Sequence, residues 1–441
     1  MPQIQWPDLP AAQQPTWPDQ AALAAARAEL ETLPPLIFAG EADQLRNALA
    51  KAAHGNAFVL TAGDCAETFK HNTADSIRGR LRTVLQMAVV LTYGSTLPVI
   101  KIGRIAGQYF KPRSGENETV NGITLPVYRG DAVNGVDFTA ESRIPDPFRM
   151  VKAYHASSAT LNLVRAFTQG GYADLREVHS WNQDFVQQTK TGEKYEKIAS
   201  DIDRALAFME ACGVDPSEFR TVDFYSSHEA LVLDYEKPLT RVDSRTGKLY
   251  DVSAHFLWIG DRTRQLDGAH LDFVSRISNP LGVKIGPNTT VDEINRILEM
   301  LDPEKTPGRV TFISRMGVEK IKETLPPLMT ASFKLGHQPL WVCDPMHGNT
   351  RTASTGHKTR EFADVLGEVV GFFEVCRVLV VHPGGIHIEL TGDDVTECTG
   401  GMEGLLDQDL PSRYETACDP RLNRVQSLEL AFRVSEMLKA R

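Results

Sequence analysis

Short runs of apolar residues recur along this chain, each closed by polar residues, glycine or proline: Phe58–Thr61, Val99–Ile102, Thr221–Tyr225, Phe256–Ile259, Val283–Ile285, Val310–Ile313, Leu340–Cys343 and Val378–Val381. They lack the one-in-two alternation of a half-exposed strand, so they predict short strands covered on both faces. Stretches with helical periodicity follow several of them, at Val291–Leu301, Val318–Leu325 and Arg360–Glu374. Strand–helix alternation predicts a parallel sheet, and eight repeats predict a closed (β/α)8 TIM barrel rather than an open sheet.

Two segments fall outside this rhythm. Residues 1–36 read as an N-terminal arm, Pro/Gln-rich over Met1–Pro18 and helical over the Ala-rich Asp19–Leu33. The arm is expected either to pack on the main domain, residues 37–441, or to serve as a contact between subunits. Between Ile102 and Thr221 the chain is far longer than one crossover helix requires. The excess reads as helices at Asp146–Gln169, Trp181–Gln188 and Lys194–Cys212, a helical insertion over about 146–215 between the second and third strands. Trp181 and Tyr195 within it are expected to be core residues.

Composition narrows the function classes. The 441 residues carry a net charge of −10, which argues against a general nucleic-acid surface while leaving room for a local basic pocket. Six cysteines occur without a CxxC pair, and a chain of this length needs no disulfide staples, so reduced thiols in the cytoplasm are expected. Met1–Pro18 has no apolar core of a secretory signal, and no apolar run reaches the ~20 residues that span a bilayer. Neither a targeting segment nor a membrane anchor is expected.

In barrels of this kind the reactive side chains stand at the C-terminal ends of the strands. Cations gather there: Arg104, Lys111 and Arg113 after the second run, Arg262 after the fourth, Lys284 on the fifth and Arg315 after the sixth. If the strand assignment holds, they share one mouth, and arginine forks with mobile lysines suit substrates bearing several phosphates or carboxylates. A second group is ligand-like: Cys65, His347, Glu389 and Asp419. Thiolate, imidazole and two carboxylates from separated loops suit a catalytic divalent ion such as Mn²⁺, Co²⁺ or Fe²⁺ better than a closed structural zinc site. His382 and His387 flank Gly384-Gly385, and either one orients Glu389 or both are structural. No Walker A or dinucleotide fingerprint is present.

Nine segments in series resemble the class II 3-deoxy-D-arabino-heptulosonate 7-phosphate (DAHP) synthases. They are Gly63-Asp64-Cys65-Ala66-Glu67, Gly103-Arg104-Ile105-Ala106-Gly107-Gln108, Lys111-Pro112-Arg113-Ser114, Tyr128-Arg129-Gly130-Asp131, Ser227-His228-Glu229-Ala230, Arg262-Thr263-Arg264, Asp344-Pro345-Met346-His347-Gly348-Asn349, His382-Pro383-Gly384-Gly385-Ile386-His387 and Cys418-Asp419-Pro420-Arg421-Leu422-Asn423. The likeness runs from about Pro35 to the C-terminus.

The resemblance implies a metal-dependent aldol-type condensation of phosphoenolpyruvate with erythrose 4-phosphate, the first step of the shikimate pathway. It implies Cys65, His347, Glu389 and Asp419 as metal ligands, with Mn²⁺ the first choice. Arg104, Arg262, Lys284 and Arg315 fall at the phosphoenolpyruvate positions, and Lys111, Arg113 and Ser114 on the aldose-phosphate side. It further implies the long form of the family, a homo-oligomer (dimer or tetramer) with feedback sites, and in some members a chorismate mutase partner.

Three positions depart from the family pattern. Thr61-Ala62 stand where Gln-Gly is usual, Asp261 where Glu is usual, and Cys343 where Ser or Thr is common. The alternatives these leave open are an amino-DAHP synthase using an imino sugar phosphate, and a weakly active barrel serving as a scaffold for a mutase. Lys111 is the expected proton donor to the aldehyde oxygen, and Asp261, Glu229 or a metal-bound water the expected aid to water addition.

Overall fold

The computed structural model describes residues 8–188, 193–213 and 221–439. The first seven residues of the predicted arm, and residues 189–192 and 214–215 of the predicted insertion, lie outside them. Eight parallel strands close into a barrel: β1 (Phe58–Gly63), β2 (Val99–Arg104), β3 (Tyr225–Glu229), β4 (Phe256–Ile259), β5 (Leu281–Ile285), β6 (Val310–Ser314), β7 (Leu340–Cys343) and β8 (Gly385–Glu389). Each strand pairs with its sequence neighbour, and β8 closes on β1 in the register Thr61↔His387 and Gly63↔Glu389.

The apolar runs follow from two-sided burial. Phe58, Leu60 and Ala62 of β1 pack outward among helices, as do Ile386 and Ile388 of β8. Val59, Tyr225, Phe256, Ile313, Leu340 and Val342 instead fill the barrel with Leu45, Leu49 and Ala52. Those last three lie on α2 (Ala39–Ala53), which packs against β1 and β7. Gly63 marks a close approach: a Cβ there would lie 2.5 Å from the carbonyl oxygen of Arg104. That contact seats the Asp64–Glu67 loop beside β2.

Two predicted strands are corrected. Val378–Val381 ends a helix rather than forming the eighth strand: α10 (Phe362–Leu379) runs through Val378, and Val380 terminates it at φ 56°. Both valines project to the exterior, 80% and 93% exposed. The true β8 carries the inward-facing polar residues His387 and Glu389, which hide it from an apolar scan. The third run is displaced for the same reason, since β3 reads Tyr-Ser-Ser-His-Glu and every one of its residues is buried.

The remaining helices match the periodicity. α1 (Gln20–Thr32) carries the arm and α3 (Ala74–Ser95) follows β1. The insertion comprises α4 (Phe148–Gln169), α5 (Leu175–Gln188) and α6 (Glu193–Ala211). Helices α7 (Ala269–Arg276), α8 (Val291–Leu301), α9 (Ile321–Lys334) and α11 (Arg424–Lys439) complete the ring with α10. α9 starts at Ile321, later than the predicted Val318, because Gly317 turns the chain at φ 85°. Tyr195 stacks on Phe432 at 4.3 Å, as a core residue does. Among the described residues no helix is long and apolar enough to cross a membrane.

Candidate active site

The C-terminal ends of the strands surround a cleft of about 470 Å³. Arg104, Lys111, Arg113, Ser114, Arg262, Lys284 and Arg315 all line it, as do Glu229, Asp261, His347 and Asp419. Cys65 and Glu389 are fully buried beside it. A larger cleft of about 1210 Å³ lies against Arg46, Asp302 and Arg309, at the opposite end of the strands, and gathers none of the predicted site residues. Size alone therefore misplaces the chemistry, and the convergence of charged side chains places it.

Cations at the cleft are held by neighbours of opposite charge. Arg104 lies almost wholly buried across the floor: it donates to the carbonyls of Asp64 and Cys65, to Glu389 Oε1 at 2.8 Å and to His387 Nε2 at 2.6 Å. Its guanidinium stacks 5.0 Å from the ring of Trp258. His387 thus touches Arg104 rather than orienting Glu389. Burial, and then the Lys284 and Arg104 charges, push its imidazole well below the ordinary range, so it is neutral and free to accept. His382 donates from Nε2 to the Ala57 carbonyl at 2.9 Å, at the start of β1, where its role is structural. Arg315 pairs with Asp261 Oδ2 at 2.9 Å, and Arg264 takes the other oxygen at 3.0 Å. Arg262 donates to Ser114 Oγ at 3.1 Å, joining the loops after β2 and β4.

The four ligand-like residues form two pairs. Cys65 Sγ stands 4.0 Å from Asp419 Oδ2, and His347 Nε2 stands 3.1 Å from Glu389 Oε1. Among the described residues no group of three or more His, Cys, Asp or Glu side chains forms a ready-made cation cage. Instead the ammonium of Lys111 stands between the first pair, 3.0 Å from Cys65 Sγ and 2.7 Å from Asp419 Oδ2, in the place of a cation.

Two further observations fit a divalent ion. Asp344 engages His347 Nδ1 at 2.8 Å, which orients the ring with Nε2 toward Glu389. Glu389 also gathers positive charge: burial alone would push its carboxyl up, but His347, Arg360, Arg104 and Lys111 outweigh it and hold it well below the usual range. Lys111 holds Asp419 low in the same way. Burial and Glu389 push the Cys65 thiol up despite the pull of the Lys111 ammonium, so ionising it calls for more positive charge than Lys111 supplies. Thiol, imidazole and carboxylates of this disposition suit a divalent transition ion.

The sequence reading missed several supports. Arg360 is fully buried and pairs with Glu389 Oε2 at 3.0 Å. Arg421 ties Asp64 at 3.0 Å to Glu397 at 2.7 Å. Lys358 reaches Asp419 Oδ1 at 3.2 Å from a hairpin, Thr350–Thr352 with Lys358–Arg360. Each lies in a polar stretch with no apolar run to mark it, although Arg421 falls within a quoted motif.

The family model for the class-II DAHP synthetase family matches residues 1–435. The chain belongs to that family. A phospho-2-dehydro-3-deoxyheptonate aldolase of Streptomyces coelicolor is 63% identical over 98% of this chain and 96% of its own length. One from Mycolicibacterium smegmatis is 53% identical over 98% of this chain and 93% of its own length. A crystal structure of the DAHP synthase of Thermotoga maritima aligns with a TM-score of 0.37 and 13% identity, over 87% of this chain and 70% of that one. In this class-II DAHP synthetase the candidate ligand residues and the cations expected from the sequence lie on adjoining loops of one barrel face.

Proposed function

We propose that this enzyme condenses phosphoenolpyruvate with erythrose 4-phosphate to DAHP and phosphate. The observation that carries this is the convergence of seven cationic or hydroxyl side chains with His347 and Asp419 on one cleft at the barrel mouth, Cys65 and Glu389 being buried beside it. Neither the imino-sugar reading nor the scaffold reading has a specific observation in its favour.

The chain's own residues divide the work. Arg104, Lys284, Arg315 and Arg262 hold the carboxylate and phosphate of phosphoenolpyruvate, and Lys111, Arg113 and Ser114 hold the aldose phosphate. Placing two mutually repelling anions together supplies much of the rate through positioning. Cys65, His347, Glu389 and Asp419 would hold a divalent ion, Mn²⁺ by first choice, which would supply Lewis-acid polarisation of the aldehyde. The enol C3 attacks the aldehyde carbon, and Lys111 delivers a proton to the developing alkoxide oxygen. Burial alone would pull its ammonium down, but Asp419, Cys65 and Glu389 outweigh it and keep it protonated. Water then adds at C2 and phosphate departs.

Glu229 is the better placed of the two carboxylates to assist the water. It is buried, its Oε1 has no hydrogen-bond partner, and burial pushes its carboxyl up against the pull of Lys284, Lys111 and Arg104. Asp261 is already committed to Arg315 and Arg264, so its role is to position those guanidiniums.

The enzyme is placed in the cytoplasm, with the free cysteines Cys65, Cys212, Cys343, Cys376, Cys398 and Cys418 as support. A homo-oligomer is supported by exposed Ile144, Phe148 and Phe208, 54%, 45% and 69% accessible. A chorismate mutase partner, and the division into an N-terminal arm 1–36 and a barrel 37–441, complete this reading.

The deciding experiment follows phosphoenolpyruvate loss and heptulosonate formation together, in metal-stripped protein before and after adding Mn²⁺. Turnover restored by the ion is expected, and a folded, metal-loaded protein without turnover would overturn the assignment. Lys111→Met is expected to lower kcat by ~10²–10⁴-fold, the range for a lost general acid. A change confined to the KM for erythrose 4-phosphate would reduce Lys111 to a phosphate ligand. Asp261→Asn should raise the KM for phosphoenolpyruvate by about tenfold with little change in kcat, because Arg315 loses a charge-assisted bond. A dominant fall in kcat would return the base role to Asp261.

A further inference from the structure

The arm before α1 does not simply lie on the barrel surface. Pro10 accepts the Ala269 amide through its carbonyl at 2.9 Å, on the connection that follows β4. Gln14 grips the loop after β3 from both ends of its amide: Nε2 donates to the Leu231 carbonyl at 2.7 Å, and Oε1 accepts from Leu233 N at 3.0 Å. Gln13 serves the loop after β2. Its Oε1 accepts from Arg113 N at 2.7 Å, and its carbonyl accepts from Arg129 at 3.4 Å. Trp17 then fixes the arm to Asp234 through its indole N–H at 2.7 Å.

Three consecutive loops of the catalytic face are thereby tied to one irregular strap. Gln13 adopts φ 64°, the left-handed region that a side chain other than glycine seldom occupies. Its neighbour's geometry explains why: Gln13 and Gln14 must face different loops at once. Backbone held in such a conformation is a pointer to function, because it persists only where the surroundings over-determine it. What Gln13 holds is specific. Arg113 and Ser114 line the substrate cleft, and Ser114 is the residue that Arg262 reaches from across it. The same loop has its other end fastened by Arg129, which pairs with Glu116 at 2.9 Å.

We propose that residues 8–17 are an intrachain strap that sets affinity for the aldose phosphate, with Gln13 as the positioning residue for the Lys111–Ser114 loop. This rests on the assignment of Lys111, Arg113 and Ser114 to the aldose phosphate made above. Gln13 touches no reacting atom. It acts through the Arg113 amide, whose acceptor it provides, and so through the placement of the Arg113 and Ser114 side chains. Phosphoenolpyruvate, held by residues on β2, β5 and the loops after β4 and β6, depends little on that amide.

The test compares full-length wild type with Gln13→Met, which keeps the length and removes the acceptor, and Gln13→Glu, which keeps it. Steady-state kinetics with each substrate varied is combined with hydrogen exchange of the segment containing Arg113. In Gln13→Met the KM for erythrose 4-phosphate is expected to rise about fivefold, the weight of one net hydrogen bond, with kcat and the KM for phosphoenolpyruvate within about twofold. Gln13→Glu should recover most of the loss. Exchange at Arg113 should quicken in Gln13→Met whether or not the protein turns over. An unchanged KM for the aldose, an equal rise in both KM values, a Gln13→Glu variant as weak as Gln13→Met, or unchanged exchange would each overturn the strap. Wild type without any turnover would overturn the assigned reaction instead, and exchange would then decide the strap alone.

Discussion

Cys65→Ser is expected to abolish turnover restored by a divalent ion while leaving the barrel folded. Loss of a partner that merely orients a metal ligand costs ~10–100-fold in affinity or activity, and loss of a ligand should cost more. The thiol is fully buried, 3.0 Å from the Lys111 ammonium and 4.0 Å from Asp419. A serine hydroxyl fits the same space and finds the same two polar neighbours, so no cavity or orphaned group is created. It does not become an anion there, whereas a thiol beside a divalent cation does. The outcome is read from metal content by emission spectroscopy, far-ultraviolet circular dichroism and the coupled assay. A variant that keeps its metal and its activity would remove Cys65 from the ligand set. One that unfolds would show that the packing around Cys65, not its chemistry, matters.

Much of the barrel was legible because burial on both faces writes continuous apolar runs. β1, β2 and β4 to β7 lie where those runs do. The two misplaced strands, β3 and β8, share a cause: Ser226, Ser227, His228, His387 and Glu389 face polar neighbours, so function has replaced the apolar residues that a scan relies on. Val378–Val381 then competed as a decoy, an apolar helix end pointing outward. At the site, strand-end logic was enough to collect the cations, since all seven proposed substrate residues line one cleft. What held them there was not legible. Arg360 reads as the first residue of the helical stretch Arg360–Glu374, yet it ends the strand Lys358–Arg360 and is completely buried where the loop bearing Asp419 and Pro420 meets it. The strap was invisible for a related reason. Pro/Gln-rich sequence has no period, and its contacts are side-chain amides to loop backbones at sequence separations of 100 and 217 residues.

That hidden arginine yields the largest stability effect expected in the molecule. Arg360→Met should destabilise the fold by about 3–5 kcal/mol, the cost of removing one partner of a buried ion pair. Glu389 is the partner left behind: it is fully buried, with Oε2 3.0 Å from Arg360 and Oε1 in the hands of Arg104 at 2.8 Å and His347 at 3.1 Å. Arg360 also donates to the Pro420 carbonyl and, through Nε, to Thr350 Oγ1 at 3.1 Å. One guanidinium therefore joins the strand that bears Glu389, the loop next to Asp419 and the base of the Lys358 hairpin. Methionine matches much of its volume but satisfies none of these acceptors. Denaturant unfolding of metal-free protein isolates the structural part, because no ligand binding then contributes to the midpoint. If Arg104, His347 and Lys111 suffice to hold Glu389, the midpoint will hardly move, and the network is redundant. If the midpoint falls as expected, adding a divalent ion should recover part of the loss, because the ion replaces at Glu389 the positive charge that Arg360 supplied.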